Sequence, residues 1–469
     1  MHIYYSLILL LALMSSCSVG PAYVAPPIAV PSEWKNTQQQ IDKEIDYPDQ
    51  WWQVFEDDKL DELETLAVAN NRDLLISWER IHEARALMGI AAADFYPQVN
   101  LNPLFTNTDE LIKTYANSTN NAISSKNVFR AHELFYFMPV NLSYEVDLWG
   151  KIRDRYDSTR YNWLAKKSDY EATLLSLTSA LAIAYYQLRT ADEQMDLLLR
   201  TIQIRQKALD INQDRYDEEI VNYSDVSLAA QELDSVIAQY EEVVRQRAVL
   251  EDQIAVLIGV PASEFCVEHF PLRGLPPNIP EGIPSEVLLR RPDIAEAEYN
   301  AKSEHALIKE AVSLLFPSLT LTATAGSESP VLRYFLKGFS RYWMNGLGVN
   351  QIIFDGGRSA YNLELQISRF EQASAAYQNQ VLIAFQEVED ALADLNSYAS
   401  QYEAIGETTQ WAMKSYQLYS DRYTSGVTYY IDVVNTEQSL LNYQISLNAL
   451  QGFRYIATVQ LIKALGGGW

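Results

Sequence analysis

The sequence predicts a mainly α-helical membrane protein made of two similar halves. Each half carries one β-hairpin and one long coiled-coil hairpin. Three observations lead there. "DRYDEEIVNYSDV" at 214–226 returns as "DRYTSGVTYYIDV" at 421–433, 207 positions later. A proline-free stretch of each half keeps a hydrophobic period near 3.5 residues. Just before each stretch the period drops to two, as in a half-buried strand.

The totals agree with an ordered protein. Of 469 residues, 48% are apolar and 21% charged, which excludes a disordered chain. A formal net charge of −25 speaks against nucleic acid as a partner, because phosphate contacts need basic patches. Thirty tyrosines suit interfaces and the membrane–water boundary.

The chain begins "MHIYYSLILLLALMSSCSVG". The apolar run from Ile3 to Met14 is too short to cross a bilayer, which takes roughly 20 residues, and suits a signal peptide over 1–16. Ser15 and Ser16 then precede Cys17, as in a bacterial lipobox, where the cysteine takes a covalent lipid. Met14 stands where such boxes usually have Leu, and His2 replaces the usual Lys or Arg ahead of the run. A plain secretory signal with an incidental cysteine is the alternative. Ser18 is not the Asp that would retain a lipoprotein at the inner membrane. With Cys17 lipidated, Cys266 has no partner within the chain and reads as a small buried apolar residue.

The repeat is larger than its most visible phrase. At the same 207 offset, Gly150-Lys151 matches Gly357-Arg358, and Gln253 and Gly259 match Gln460 and Gly466. Leu174, Leu177, Leu181, Ala184 and Leu188 match Val381, Ala384, Val388, Ala391 and Leu395. Upstream the offset is 220: Asp73, Pro97, Val99 and Leu101 match Asp293, Pro317, Leu319 and Leu321. The extra 13 residues of the first half must fall between Leu101 and Gly150. There the polar string "TNTDELIKTYANSTNNAISSKN" reads as an exposed loop. The expected divisions are an N-terminal segment at 17–59, a first repeat at 60–259, a linker at 260–284 and a second repeat at 285–469.

Tyr170, Leu174, Leu177, Leu181, Ala184, Leu188, Ala191, Met195, Leu198 and Ile202 alternate spacings of four and three, as do Leu363 to Leu395 in the second half. A helix from Lys151 to about Asp214 would have roughly 60 residues and a length on the order of 90 Å. It must pack lengthwise on other long helices. In "MPVNLSYEVDLW" and "SLTLTATAG" apolar and polar residues alternate strictly. Their shorter partners are "QVNLNPLF" and "LGVNQIIF". Four strands of about 10 residues result, the length a tilted strand needs to span a bilayer. A soluble sandwich would show the same alternation. The export signal, Trp149, Tyr342 and Trp343 at expected strand ends, and the lack of another apolar surface to cover the sheet favour lipid. Four strands cannot close a barrel, and an open edge is not viable in lipid, so the chain must oligomerise. Three copies would supply twelve strands. Gly150 and Gly357 stand where strand yields to rod, a change of direction that calls for a permissive backbone.

"WWQVFEDDKLDEL", "YEVDLWGKIR", "GIPSEVLLRRPDIAEAE", "IFDGGRSAYNLEL", "FQEVEDAL" and "KALGGGW" together resemble the TolC-type outer membrane factors. The similarity runs from about Trp51 to Trp469 and is strongest to the NodT-like branch, the lipoprotein subunits of resistance–nodulation–division efflux systems. The resemblance implies a homotrimer with a twelve-stranded barrel in outer membrane lipid and a periplasmic α-helical barrel of coiled-coil hairpins. It implies export of drugs or other small molecules, with a periplasmic adaptor and an inner-membrane pump as partners. No catalysis and no cofactor beyond the lipid on Cys17 are implied.

It also places the repeated phrase at the tips of the helical hairpins. Gly426 can take φ > 0 and mark the turn. The first copy has Glu219 there, so its turn differs or accepts strain. Two readings of Asp225 and Asp432 stand: helix capping at the start of the returning helix, or a closed periplasmic mouth. By resemblance, Asp225 bonds Tyr423 across neighbouring hairpins. Some relatives carry a basic residue two positions after the turn glycine; here that position is Thr428.

Rival classes leave little trace. His2, His82, His132, His269 and His305 are scattered without metal-ligand spacing, and no nucleophile elbow or phosphate loop occurs. The acidic "EDDKLDELE" reads as a solvated helix start. A secreted coiled-coil scaffold would share the rods but has no need for paired hairpins. A duct for type I protein secretion is the nearer alternative to small-molecule efflux.

Overall fold

The computed structural model describes residues 19–36, 50–115, 126–279 and 290–467. Cys17 and its signal sequence lie outside the described residues. The described residues form two compact units, each drawn from both sequence halves.

The first unit takes residues 19–25, 83–163 and 300–373. It holds one antiparallel sheet of β1 (Gln98–Leu101), β2 (Leu104–Tyr115), β3 (Lys126–Val146), β4 (Ser318–Ser329) and β5 (Arg341–Asn350). β1 and β2 both pair with β3, β1 at Leu101↔Val140 and β2 at Leu104↔Phe137, so they are one strand interrupted at Asn102-Pro103. The sheet is therefore four strands wide: β1/β2, β3, β4, β5. Register keeps like with like. Val99, Leu142, Ala323 and Asn345 share one row; Leu101, Val140, Ala325 and Trp343 share the next on the same face. Asn100, Asn141, Thr324 and Met344 lie between them on the other face, where the Thr324 hydroxyl donates to Asn141 Oδ1 at 2.9 Å.

Two expectations about the sheet need correction. The polar string after Phe105 is not all loop: β2 runs on to Tyr115 and pairs residue by residue with 126–137. Ladder hydrogen bonds do not require apolar side chains, and Arg130 and Asp109 form a cross-strand ion pair at 3.3 Å. The strand expected over 347–354 is β5, which begins at Arg341 and ends at Asn350, so Ile352, Ile353 and Phe354 lie beyond it, while Tyr342 and Trp343 stand at its first end as expected.

Where β3 ends, Gly150 takes φ 86° and α3 (Lys151–Asp217) begins. Asp147 accepts hydrogen bonds from the amides of Ile152 and Arg153, which satisfies two donors of the first turn. Where β5 gives way to α6 (Arg358–Thr424), Gly357 takes φ 91° and Asp355 accepts from the Gly357 and Ser359 amides. Both glycines sit where an L side chain would be strained, as the change of period required. The segment after Cys17 is fastened nearby. The Val19 amide donates to the Trp149 carbonyl at 3.4 Å, and Tyr23 makes edge contacts with His305 and Phe370.

The second unit takes residues 26–82, 164–299 and 374–469. Its core joins Trp51, Leu60 and Leu63 to Leu181, Leu188, Ile254, Val388 and Val459. The heptad positions are its seam: Leu181, Leu188, Val381 and Val388 are fully buried. Asp57 caps α1 (Asp58–Asn70), accepting from the Lys59 and Leu60 amides and from the Tyr185 hydroxyl. Asn71 starts α2 (Arg72–Ala93), accepting from the Leu74 amide and donating to the Leu257 carbonyl. The acidic helix start is not wholly solvated, because Glu64 is fully buried and burial holds its carboxyl well above the usual range. Cys266 is exposed rather than buried. The neighbouring Val267 takes the inward place, with its amide bonded to Glu251 and its carbonyl to Arg247.

The helices recur in length. α3 and α6 have 67 residues each; α4 (Tyr223–Leu257) and α7 (Tyr430–Ala464) have 35 each. α2 and α5 (Pro292–Ser313) have 22 each.

Candidate gate at the hairpin tips

Each tip is a Schellman turn. In the second, Gly426 at φ 74° donates to the Tyr423 carbonyl and Val427 to the Arg422 carbonyl at 2.9 Å. In the first, Glu219 donates to Tyr216 and Ile220 to Arg215 at 2.8 Å, the same pair of bonds one repeat earlier. Glu219 takes φ 62°. The first turn keeps the geometry and accepts the strain, at about 1–2 kcal/mol for an L residue in the left-handed region.

Asp225 and Asp432 do not cap the returning helices. The cap positions belong to Asn222 and Tyr429, neither of which makes a side-chain cap bond. Both aspartates lie one turn inside, with amides bonded to the carbonyls of Asn222 and Tyr429. A carboxylate in the first turn favours the helix through its dipole. Asp432 also accepts a short hydrogen bond from the Thr428 hydroxyl. Thr428, lacking the charge of a basic residue, thus neutralises nothing but fixes the carboxylate's direction.

Tyr423 is not bonded to Asp225 as expected. Its hydroxyl donates to Asn212 Oδ1 at 2.8 Å, and Asn212, itself 1% exposed, donates to the Ala208 carbonyl. The Arg215 guanidinium lies 4.8 Å over the Tyr423 ring. Tyr423 and Tyr430 approach at 5.4 Å, and Tyr423 packs against a small core of Ala229, Tyr430 and Val434. Burial and the nearby Glu437 push the Tyr430 hydroxyl up, so it stays neutral.

Sequence reading missed a buried arginine in this region. Arg205 is 2% exposed. Its Nη1 donates to the Glu232 carbonyl at 2.7 Å and pairs with the Glu232 carboxylate at 3.0 Å. Its Nη2 donates to Gln438 Oε1 at 2.7 Å, and its Nε lies 3.5 Å from Glu437. One guanidinium thereby ties α3, α4 and α7. Burial raises the Glu437 carboxyl, against the pull of Arg205. A signal was present: after Leu198 and Ile202, the four-three spacing continues through Arg205, Leu209 and Asn212. Polar residues at core positions of a rod are costly unless bonded.

The sequence and the fold have known counterparts. The model of the outer membrane efflux protein family matches residues 63–260 and 283–467. A protein of Salmonella typhimurium described as "Probable outer membrane lipoprotein SilC" is 28% identical over 466 residues, covering 97% of each chain. Outer membrane protein OprJ of Pseudomonas aeruginosa is 29% identical, covering 98% of this chain and 95% of its own. The crystal structure of the Campylobacter jejuni CmeC outer membrane channel superposes with a TM-score of 0.85 at 27% identity, covering 97% of this chain and 95% of that one. With both sequence halves matched, this chain belongs to the outer membrane efflux protein family.

Proposed function

We propose that the protein is the outer membrane duct of a tripartite efflux pump, a homotrimer that performs no chemistry of its own. The observation that carries this reading is the sheet. One face is mainly apolar and left open by the described residues, with Leu347 and Val349 63% and 66% exposed. The other face carries Asn100, Asn141, Ser143, Thr320, Thr322 and Thr324. An apolar face suits lipid, and a polar face suits a water-filled interior. The sheet's two outer strands still present free edges, which lipid does not tolerate. Three copies, edge to edge, would close a twelve-stranded barrel.

Lipidation of Cys17 is part of the proposal, supported by the lipobox and by the description of the SilC relative. A periplasmic adaptor and an inner-membrane pump of the resistance–nodulation–division class complete the assembly in this reading. The exported compound follows from the pump.

The test is physical. Purified in mild detergent, the protein should have about three times the 53.4 kDa chain mass, and in planar bilayers it should conduct ions. A stable monomer that keeps its strand content, or a trimer without conductance, defeats the reading.

A further inference from the structure

We propose that the loop joining β4 to β5 is a lipid anchor that binds phosphate-bearing head groups of the outer leaflet. The proposal rests on the duct reading above, which sets the end of the sheet that faces outward. Gly150 and Gly357 mark the end where the rods begin, so residues 330–340 stand at the opposite, exterior end. A strand tilted by about 40° climbs roughly 2.5 Å per residue. The 12 residues of β4 thus climb about 30 Å, past an apolar band about 25 Å tall. The loop lies at the outer boundary of that band.

The loop, "PVLRYFLKGFS", folds over the lipid-facing side of the sheet. Tyr136, Ser327, Ser329, Arg341 and Trp343 share the face of Val140 and Ala325. Phe335 and Tyr136 pack with ring centroids 6.1 Å apart, and Ser327 and Ser329 are buried on that otherwise open face. Two short 3-10 turns, Leu332–Tyr334 and Gly338–Ser340, shape the loop. The Ser340 hydroxyl ties them together by donating to the Tyr334 carbonyl at 2.7 Å, and the Tyr334 and Phe339 rings pack at 5.5 Å. Even so folded, the loop leaves Leu336 and Phe339 70% and 76% exposed. Apolar side chains held out at this depth suit the acyl boundary rather than water.

Charge selects the head group. From Gly326 to Trp343 the charged residues are Glu328, Arg333, Lys337 and Arg341. Glu328 pairs with Phe137 in register and so lies on the opposite face from Arg341. None of the three cations forms an ion pair among the described residues. On the neighbouring hairpin, by contrast, Arg130 is already paired with Asp109 at 3.3 Å. A neutral lipid would take the apolar side chains and leave the cations unanswered; a soluble anion would do the reverse. A lipid with phosphate in its head group answers both.

The test compares one lipid with and without its phosphates. The trimer in detergent is titrated with diphosphorylated lipid A and with the same lipid dephosphorylated, and retained lipid is counted by native mass spectrometry. Each cation at a lipid surface contributes about fivefold in affinity, so wild type should prefer the phosphorylated form on the order of a hundredfold. Arg333→Gln, Lys337→Gln and Arg341→Gln should each lower the preference about fivefold, and the triple variant should abolish it. Arg130→Gln should leave it unchanged. Leu336→Ser with Phe339→Ser should weaken binding of both forms while the trimer persists. If wild type holds both forms alike, or the triple variant keeps the preference, the proposal is overturned. If the double serine variant splits the trimer, the patch is a contact between copies and the proposal is likewise overturned. A trimer that conducts without phosphate preference overturns the anchor alone; a protein that forms neither trimer nor channel overturns the duct reading and the placement of the loop with it.

Discussion

Gly357→Val should lower the amount of assembled trimer, and the structure supplies a magnitude. Gly357 sits at φ 91°, where an L residue costs about 1–2 kcal/mol and a β-branched one more. The incoming Cβ would meet the Tyr361 ring at 3.3 Å, a contact that the exposed ring relieves by moving. Relaxing φ instead would turn the Gly357 amide away from Asp355, which receives it at 2.9 Å, and weaken the start of α6 by about 1 kcal/mol. The cheaper of the two routes sets the cost at about 1–2 kcal/mol, roughly a five- to thirtyfold change in the folded-to-unfolded ratio. The assay is the trimer fraction on semi-native gels over a temperature series, with membranes from cells expressing each variant. Gly338→Ala is the control, since nothing lies within 4 Å of its added Cβ. Gly150→Val, at φ 86°, should behave as Gly357→Val does. If trimer level and melting in Gly357→Val match those of Gly338→Ala, the junction is not a backbone constraint and the reasoning fails.

Glu64 is buried and holds its proton in the folded chain above the ordinary value of 4.5. Because the folded state binds more protons, stability falls as pH rises from that value through the raised one. Glu64→Gln should therefore raise the melting temperature over wild type more at pH 8 than at pH 5; an equal gain at both would refute the assignment. Cys17→Ala should abolish labelling by a fatty-acid analogue, while the barrel still inserts; retained label removes the lipidation claim. Asp432→Asn should reduce cation preference and weaken block by multivalent cations in planar bilayers, with little loss of trimer. Unchanged selectivity would leave Asp432 as a residue that merely steadies the start of α7.

The repeat, the rods and the two-period switch are legible in the chain alone. These are local: a helix or strand facing one way needs its apolar residues every 3.5 or every two positions. The equal lengths of α3 and α6, and of α4 and α7, were legible because 207 positions separate the copies without insertion. Gly150, Gly357 and Gly426 were legible because only glycine takes positive φ without strain. Glu219 shows the limit, since its φ of 62° is imposed by the same turn without the residue that favours it.

Which side chains meet depends on how the helices and strands pack. Asn212 rather than Asp225 receives the Tyr423 hydroxyl, a choice made by how two hairpins pack 211 residues apart. The run of strand through Thr106–Tyr115 depends on a partner in β3 and not on its own polar pattern. Cys266 faces out because Val267 is the residue drawn to the core. Arg205 interrupts an apolar spacing in the sequence, which reads as a weak point of the rod. In three dimensions it is a bond between helices, because the buried guanidinium meets Glu232, Glu437 and Gln438 on the two helices packed against it. Spacing along a chain fixes which face a residue occupies; the burial that makes a polar residue costly or cohesive is set by what the rest of the fold brings against that face.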